Sequence, residues 1–169
     1  KTGASVVLFD FFGTLASYEP DRSRLAYPMS HELARSFGYT RDHDRFVTDW
    51  HAASSALESA TAESHVEFSM TDAASAFAER CGLGLTIEQS SALGECFVRE
   101  WQTHVVPVPG VAEMLRRLAD SFRLGVVSNT HHSAMVPGFL AEMGVAEVMS
   151  LVVLSVDHGF RKPPPSIYS

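Results

Sequence analysis

Three short runs along the chain are apolar without interruption: Val6-Val7-Leu8-Phe9, Leu124-Gly125-Val126-Val127 and Leu151-Val152-Val153-Leu154. A strand with one wetted face alternates apolar and polar residues. An unbroken apolar run instead suits a strand covered on both faces, as in a parallel sheet. Each run ends abruptly in polar residues: Asp10, Ser128-Asn129, and Ser155 followed by Asp157. Helical spacing separates the later runs. After Pro109-Gly110, Val111, Met114, Leu115 and Leu118 fall on one helical face. Phe139, Leu140 and Met143 predict a second helix, with Pro137 in its first turn and Gly144 at its end. Strand–helix–strand alternation of this kind predicts a doubly wound α/β unit.

The middle of the chain reads differently. Residues 16–104 show no strand pattern and predict about four helices inserted after the first strand. Phe46, Trp50 and Leu57 fall near one face. Ala74, Phe77, Ala78 and Cys81 repeat at helical spacing and stop at Gly82. Thr86-Ile87-Glu88-Gln89 is a capping box that opens a helix through Trp101. The Ala- and Ser-rich stretch from Ala52 to Ala62 reads as a small-residue helix face rather than a linker. The expected division is therefore residues 1–15 and 105–169 as the α/β core, and 16–104 as an all-helical insertion.

Composition narrows the function classes. The chain has 169 residues and a net charge of −7, so it lacks the cation surplus that nucleic-acid binding draws on. No apolar run is long enough to cross a bilayer, and no membrane partner is expected. Cys81 and Cys96 are too few for a zinc knuckle or a disulfide framework; they read as reduced core thiols in a cytoplasmic protein. The sequence sets no oligomeric state.

In an open parallel sheet, ligands bind at the carboxyl ends of the strands. Asp10, Ser128-Asn129 and the loop Gly159-Phe160-Arg161-Lys162-Pro163 converge there. A carboxylate beside a fixed cation stays ionised and nucleophilic, and the cation and hydroxyl can stabilise charge on an anionic substrate. Alone, each residue has a plainer reading: a turn Asp, a helix cap at Ser128-Asn129, a solvated loop lysine.

Together the three segments resemble the haloacid dehalogenase superfamily of hydrolases. Phe9-Asp10-Phe11-Phe12-Gly13-Thr14-Leu15 resembles its first motif, Val126-Val127-Ser128-Asn129-Thr130 its second, and Gly159-Phe160-Arg161-Lys162-Pro163 its third. The resemblance implies a Rossmann-like core with a helical cap inserted after the first strand. It implies that Asp10 attacks the substrate and forms an aspartyl intermediate. Gly13 would turn the backbone, Thr14 would orient the Asp10 carboxylate, and Ser128 would bond the transferred group. Asn129 would support that loop, and Lys162 would neutralise shared charge. In the family's phosphatases Mg²⁺ is held by the nucleophile and by the backbone carbonyl two residues on, here Asp10 and Phe12. Dehalogenases need no metal.

Phe12 departs from the phosphatase pattern, which has a second Asp there to protonate the leaving group; dehalogenases commonly carry an aromatic residue. Tyr168 has the spacing of a dehalogenase Lys–Tyr pair. Phosphate-ester hydrolysis of a small anionic metabolite is the first expectation, 2-haloacid dehalogenation the second, and metabolite binding without turnover the third. The family's acidic fourth motif has no counterpart before Ser169. With no initiating Met and three core strands, the chain reads as a truncated piece, about three-quarters of the whole. The strand of Asp10 should then be an exposed sheet edge. His131-His132 and Asp42-His43-Asp44 read as solvated segments, while Arg22, Arg24 and His31 are possible anion contacts in the cap.

Overall fold

The structure, a computed structural model, describes residues 5–18 and 27–168; Arg22 and Arg24 lie outside them. In chain order the strands are β1 (Val6–Phe9), β2 (Ala16–Tyr18), β3 (Val105–Pro107), β4 (Arg123–Ser128) and β5 (Met149–Leu154). The helices are α1 (Pro28–Ser36), α2 (His43–Thr61), α3 (Met70–Cys81), α4 (Ile87–Gln102), α5 (Val111–Ala119), α6 (Met135–Glu142) and the single turn α7 (Ser155–His158). The chain divides into two compact units, residues 1–19 with 105–169, and residues 20–104.

The first unit is α/β and Rossmann-like. Its parallel sheet runs β1-β4-β5, with Phe9 beside Val126 and Val126 beside Val152. Leu124 and Val126 on β4, Leu115 on α5, and Val136 and Leu140 on α6 are fully buried and form its core. Helix α5 closes on that core because Val111 and Leu115 recur on one side while Arg116 and Arg117 stay outside. Arg116 donates to the carbonyls of Met143 and Gly144, fastening α5 to the end of α6. Gly144 takes a left-handed φ of 63°, as its predicted role as a helix stop requires.

Two expectations need correction. The unbroken apolar runs predict strands covered on both faces, yet Val6, Leu8 and Leu151 are 46–51% exposed. Leu8, Gly125 and Leu151 form one row across the sheet, and that row has little cover from the described residues. β1 lies at the edge. Second, Ala16–Tyr18 is a strand, not the head of the helical insertion. It pairs antiparallel with β3, Ser17 opposite Val106, so the first unit extends past Leu15. Three residues are too few for an alternating pattern to show in sequence.

The second unit is all-helical among its described residues. Ser69 and Asp72 exchange bonds in a capping box that starts α3, and Gly82 ends it in the left-handed region. Thr86 and Gln89 do the same at the start of α4. Phe46, Trp50, Phe77 and Phe97 meet in an aromatic core, where Trp50 stacks on Phe97 at 4.2 Å and Tyr27 stacks on the same ring at 4.0 Å. Helices α3 and α4 touch closely at Gly94, where a Cβ would come within 2.7 Å of the Met70 carbonyl oxygen. Helix α1 has no capping side chain of its own; Glu100 on α4 accepts the Met29 and Ser30 N–H groups at 2.9 and 2.8 Å instead.

Among the described residues of this unit, one charged side chain is buried. Asp49 accepts bonds from the Tyr39 hydroxyl at 3.0 Å and from Arg41 at 2.6 Å, with Arg45 3.4 Å away. Burial pushes its carboxyl up, but the bonds from Arg41 and Tyr39 and the charges of Arg45 and Arg41 outweigh burial and hold it below the ordinary carboxylate range. Burial first, and then the bond to and charge of Asp49, raise the Tyr39 phenol. The Cys81 thiol is raised by the same two causes, burial ahead of the Asp49 charge. Both cysteines are free thiols.

Candidate active site

The site is built where the parallel strands stop. Asp10 follows β1 directly, and its carboxylate is 48% exposed. The chain then turns sharply. The Phe11 carbonyl accepts the N–H groups of Thr14, Leu15 and Ala16, and Gly13 N–H donates to the Ala16 carbonyl at 2.7 Å. Gly13 sits at φ 80°, which a side chain at that position would resist. The turn sends the Phe11 ring into the core against Phe139. The Phe12 ring meets Phe11 edge-on at 5.0 Å and lies parallel to Tyr18 at 6.2 Å.

Lys162 arrives from the loop after β5. Its ammonium lies 2.8 Å from Asp10 Oδ1 and donates to the Val127 carbonyl at 2.9 Å. Asp10 Oδ1 also accepts the Phe11 N–H at 2.7 Å. The Lys162 backbone N–H donates to Asn129 Oδ1 at 2.7 Å, which ties the β5 loop to the β4 loop. The structure therefore brings together Asp10, Lys162 and Asn129, from the ends of three adjacent strands. Their spacing follows from the parallel register, which sets Asp10 level with Val127.

The remaining expected residues are placed less directly. Ser128 closes β4, is wholly buried, and turns its hydroxyl to the Asn129 carbonyl at 3.4 Å. Thr14 is exposed, and no hydrogen bond joins it to Asp10, so the orienting contact expected of it is not made; Phe11 N–H and Lys162 orient the carboxylate instead. Among the described residues no three His, Cys, Asp or Glu side chains gather to hold a metal ion. For Mg²⁺ the first motif offers the Asp10 carboxylate and the Phe12 carbonyl; an ion held there would take its remaining ligands from water and a substrate phosphate. Tyr168 lies in a short 3₁₀ turn (Pro165–Tyr168) and is half exposed. His31 belongs to the helical unit, where it bonds the Arg41 carbonyl.

Sequence reasoning marked Ser155 only as the polar end of a strand. In the structure it is fully buried, and its hydroxyl both accepts the Thr130 N–H at 2.9 Å and donates to the Thr130 carbonyl at 3.2 Å. Nothing in a single serine after an apolar run announces such a bond.

Comparison with known proteins agrees with this architecture. No curated protein matches the chain. Among solved structures, 2-haloacid dehalogenase from Pseudomonas syringae pv. Tomato DC3000 aligns at TM-score 0.60 and 18% identity, covering 98% of this chain and 70% of that one. HAD phosphatase from Thermococcus onnurineus aligns at 0.55 and 21% identity, covering 98% and 68%. The putative HAD-hydrolase YfnB from Bacillus subtilis, bound to magnesium, aligns at 0.52 and 18% identity, covering 98% and 69%. These likenesses show the fold; the solved structures themselves include both a dehalogenase and a phosphatase. The profile of the haloacid dehalogenase-like hydrolases matches residues 4–169, and the chain belongs to that family of hydrolases.

Proposed function

We propose that the chain hydrolyses a small anionic organic molecule through Asp10 as covalent nucleophile, with a leaving group that departs without a proton; 2-haloacids are the substrate class that fits best. The observation that carries this is Phe12. It stands two residues after Asp10, where the phosphatases that the first motif resembles carry the Asp that protonates an alkoxide leaving group, and its ring, packed on Phe11 and Tyr18, has no proton to give. Halide needs none.

Asp10 Oδ1 is engaged by Phe11 N–H and Lys162, which leaves Oδ2 to attack. Attack at C2 forms a C–O bond, breaks the carbon–halogen bond and sends the halide off with the bonding pair. Water then adds at Asp10 Cγ, and the ester parts into a 2-hydroxy acid and the regenerated carboxylate, releasing one proton. Lys162 holds the nucleophile and offsets the negative charge of the incoming acid. Asn129 holds Lys162 through its backbone. Ser128 serves the substrate if its hydroxyl swings away from the Asn129 carbonyl. The inserted helical unit is read as the cap that selects the substrate, and the free thiols fit a cytoplasmic setting.

Phosphate-ester hydrolysis, the first expectation from sequence, becomes the second reading. The Asp10–Lys162 pair suits phosphoryl transfer as well, with Mg²⁺ drawn to Asp10 and the Phe12 carbonyl, but Phe12 restricts it to esters whose leaving group is already good. The test measures chloride released from 2-chloropropionate without added metal, and phosphate released from 4-nitrophenyl phosphate with Mg²⁺. Chloride release that disappears in Asp10→Asn is the expected result. Phosphate release alone overturns the substrate class and, if lost in Asp10→Asn, keeps the nucleophile. No product from either substrate, with both proteins binding 2-chloropropionate equally, makes this a binding protein and overturns the proposal.

A further inference from the structure

We propose that Ser155 is a positioning residue, which locks the loop after β4 to the loop after β5 and so fixes Lys162 against Asp10. This rests on Asp10 and Lys162 being the reacting pair, and it adds the element that keeps them in register.

The Ser155 side chain has no exposed surface, and Thr130 is only 5% exposed. One hydroxyl satisfies both backbone groups of Thr130, at 2.9 and 3.2 Å. Both residues are buried, so a shift of Thr130 that broke these bonds would leave a buried donor and acceptor unpaired. Thr130 is the immediate neighbour of Asn129, whose side chain accepts the Lys162 N–H. The segment from Ser155 to Lys162 is thus pinned to the β4 loop at both of its ends. A second tie joins the same two loops further out, where the Ser133 hydroxyl donates to Asp157 Oδ1 at 2.5 Å. Thr130 Oγ1 accepts the His132 N–H at 3.3 Å, which shapes the β4 loop from within. The buried tie sets the loop, and the exposed one reinforces it.

Amide hydrogen exchange followed by NMR tests this without any turnover. In Ser155→Ala, protection should fall at Thr130 and at Lys162 together, while the Val126 amide inside the sheet keeps its protection. Loss at Thr130 with Lys162 unchanged would make Ser155 a local packing residue and overturn the proposal. If the variant does not fold, the denaturant dependence of exchange in the unaltered protein decides: Thr130 and Lys162 should open in one shared event. Separate openings overturn the coupling.

Activity supplies a second arm. Ser155→Ala should lower kcat roughly ten- to a hundred-fold with KM nearly unchanged, because a small misplacement of a reacting group acts on the transition state. Combined with Asn129→Ala it should add little to the larger single effect, since both act through one loop; full additivity contradicts the proposal. Exchange data that hold while both substrates fail would fault the substrate reading alone. Exchange data that fail while turnover persists would fault Ser155 alone.

Discussion

Two carboxylates in this chain each face a cation at close range, and their surroundings are opposite. Asp10 lies 2.8 Å from Lys162 and Asp49 lies 2.6 Å from Arg41. The Asp10 side chain is 48% exposed, with both of its bonds on one oxygen; the Asp49 side chain is 2% exposed and faces Tyr39, Arg41 and Arg45 at once. A carboxylate that must react keeps an oxygen open to a substrate. A carboxylate that must hold helices in place gives its lone pairs to its neighbours. The distance to the cation does not tell the two apart; the exposure and the number of partners do.

The sharpest way to break this contrast is to neutralise each carboxylate in turn. Asp10→Asn should cut turnover by about 10³-fold or more while leaving the melting temperature close to that of the unaltered protein. Asp49→Ala should do the reverse, lowering stability by about 2 kcal/mol in a denaturant titration, because the buried Tyr39 hydroxyl loses its acceptor. If Asp49→Ala abolished turnover without destabilising the fold, the contrast would be wrong. The close approach of α3 and α4 gives the next effect. Gly94→Ala should cost about 1–3 kcal/mol, since its Cβ meets Met70 backbone, which cannot rotate away. Gly125→Ala meets the tip of the half-exposed Leu8 side chain at 2.9 Å, which can move, and the Leu151 backbone carbonyl at 3.3 Å, and should cost about 1 kcal/mol, the low end for an added methyl.

Acid separates the carboxylates without mutation. In the unfolded chain Asp49 takes up a proton near pH ~4. In the folded chain it does so lower, so the unfolded state binds more protons in that window. The Asp49 contribution is therefore complete above about pH 4 and disappears as pH falls through the lowered value. Far-UV circular dichroism should show helix lost in that range, and Asp49→Ala should remove this part of the pH dependence. Glu100→Gln should weaken the cap on α1 by about 1 kcal/mol, read as earlier helix melting. Smallest of all, Cys81 should react with iodoacetamide more slowly than an unhindered thiol at pH 8, because its thiol is held above the ordinary range.

Much of this was legible in sequence, for identifiable reasons. The α3 and α4 caps were readable because Thr86-to-Gln89 spacing and Gly82 act locally, within one helical turn. Asp10, Asn129 and Lys162 were readable because polar residues that end parallel strands gather at one edge of the sheet. The exposure of Val6, Leu8 and Leu151 was not, because unbroken apolar runs report strand burial only when both faces have cover. Strand β2 was too short to carry a period. The ties from Ser155 to Thr130 and from Asp49 to Tyr39 join residues distant in sequence or on different elements, and only the folded chain shows them.

The direct test of Asp10 as the attacking group is the fate of oxygen from water. Repeated turnover of 2-chloropropionate in oxygen-18 water should place the heavy isotope in the Asp10 carboxylate, because water adds to the Cγ of the ester and its oxygen stays in the carboxylate while the original Asp10 oxygen leaves with the product. Mass spectrometry of the peptide holding Asp10 reads this. Heavy oxygen in the product hydroxyl from the first turnover, with an unlabelled Asp10, would mean that water attacks the substrate itself and would contradict the account.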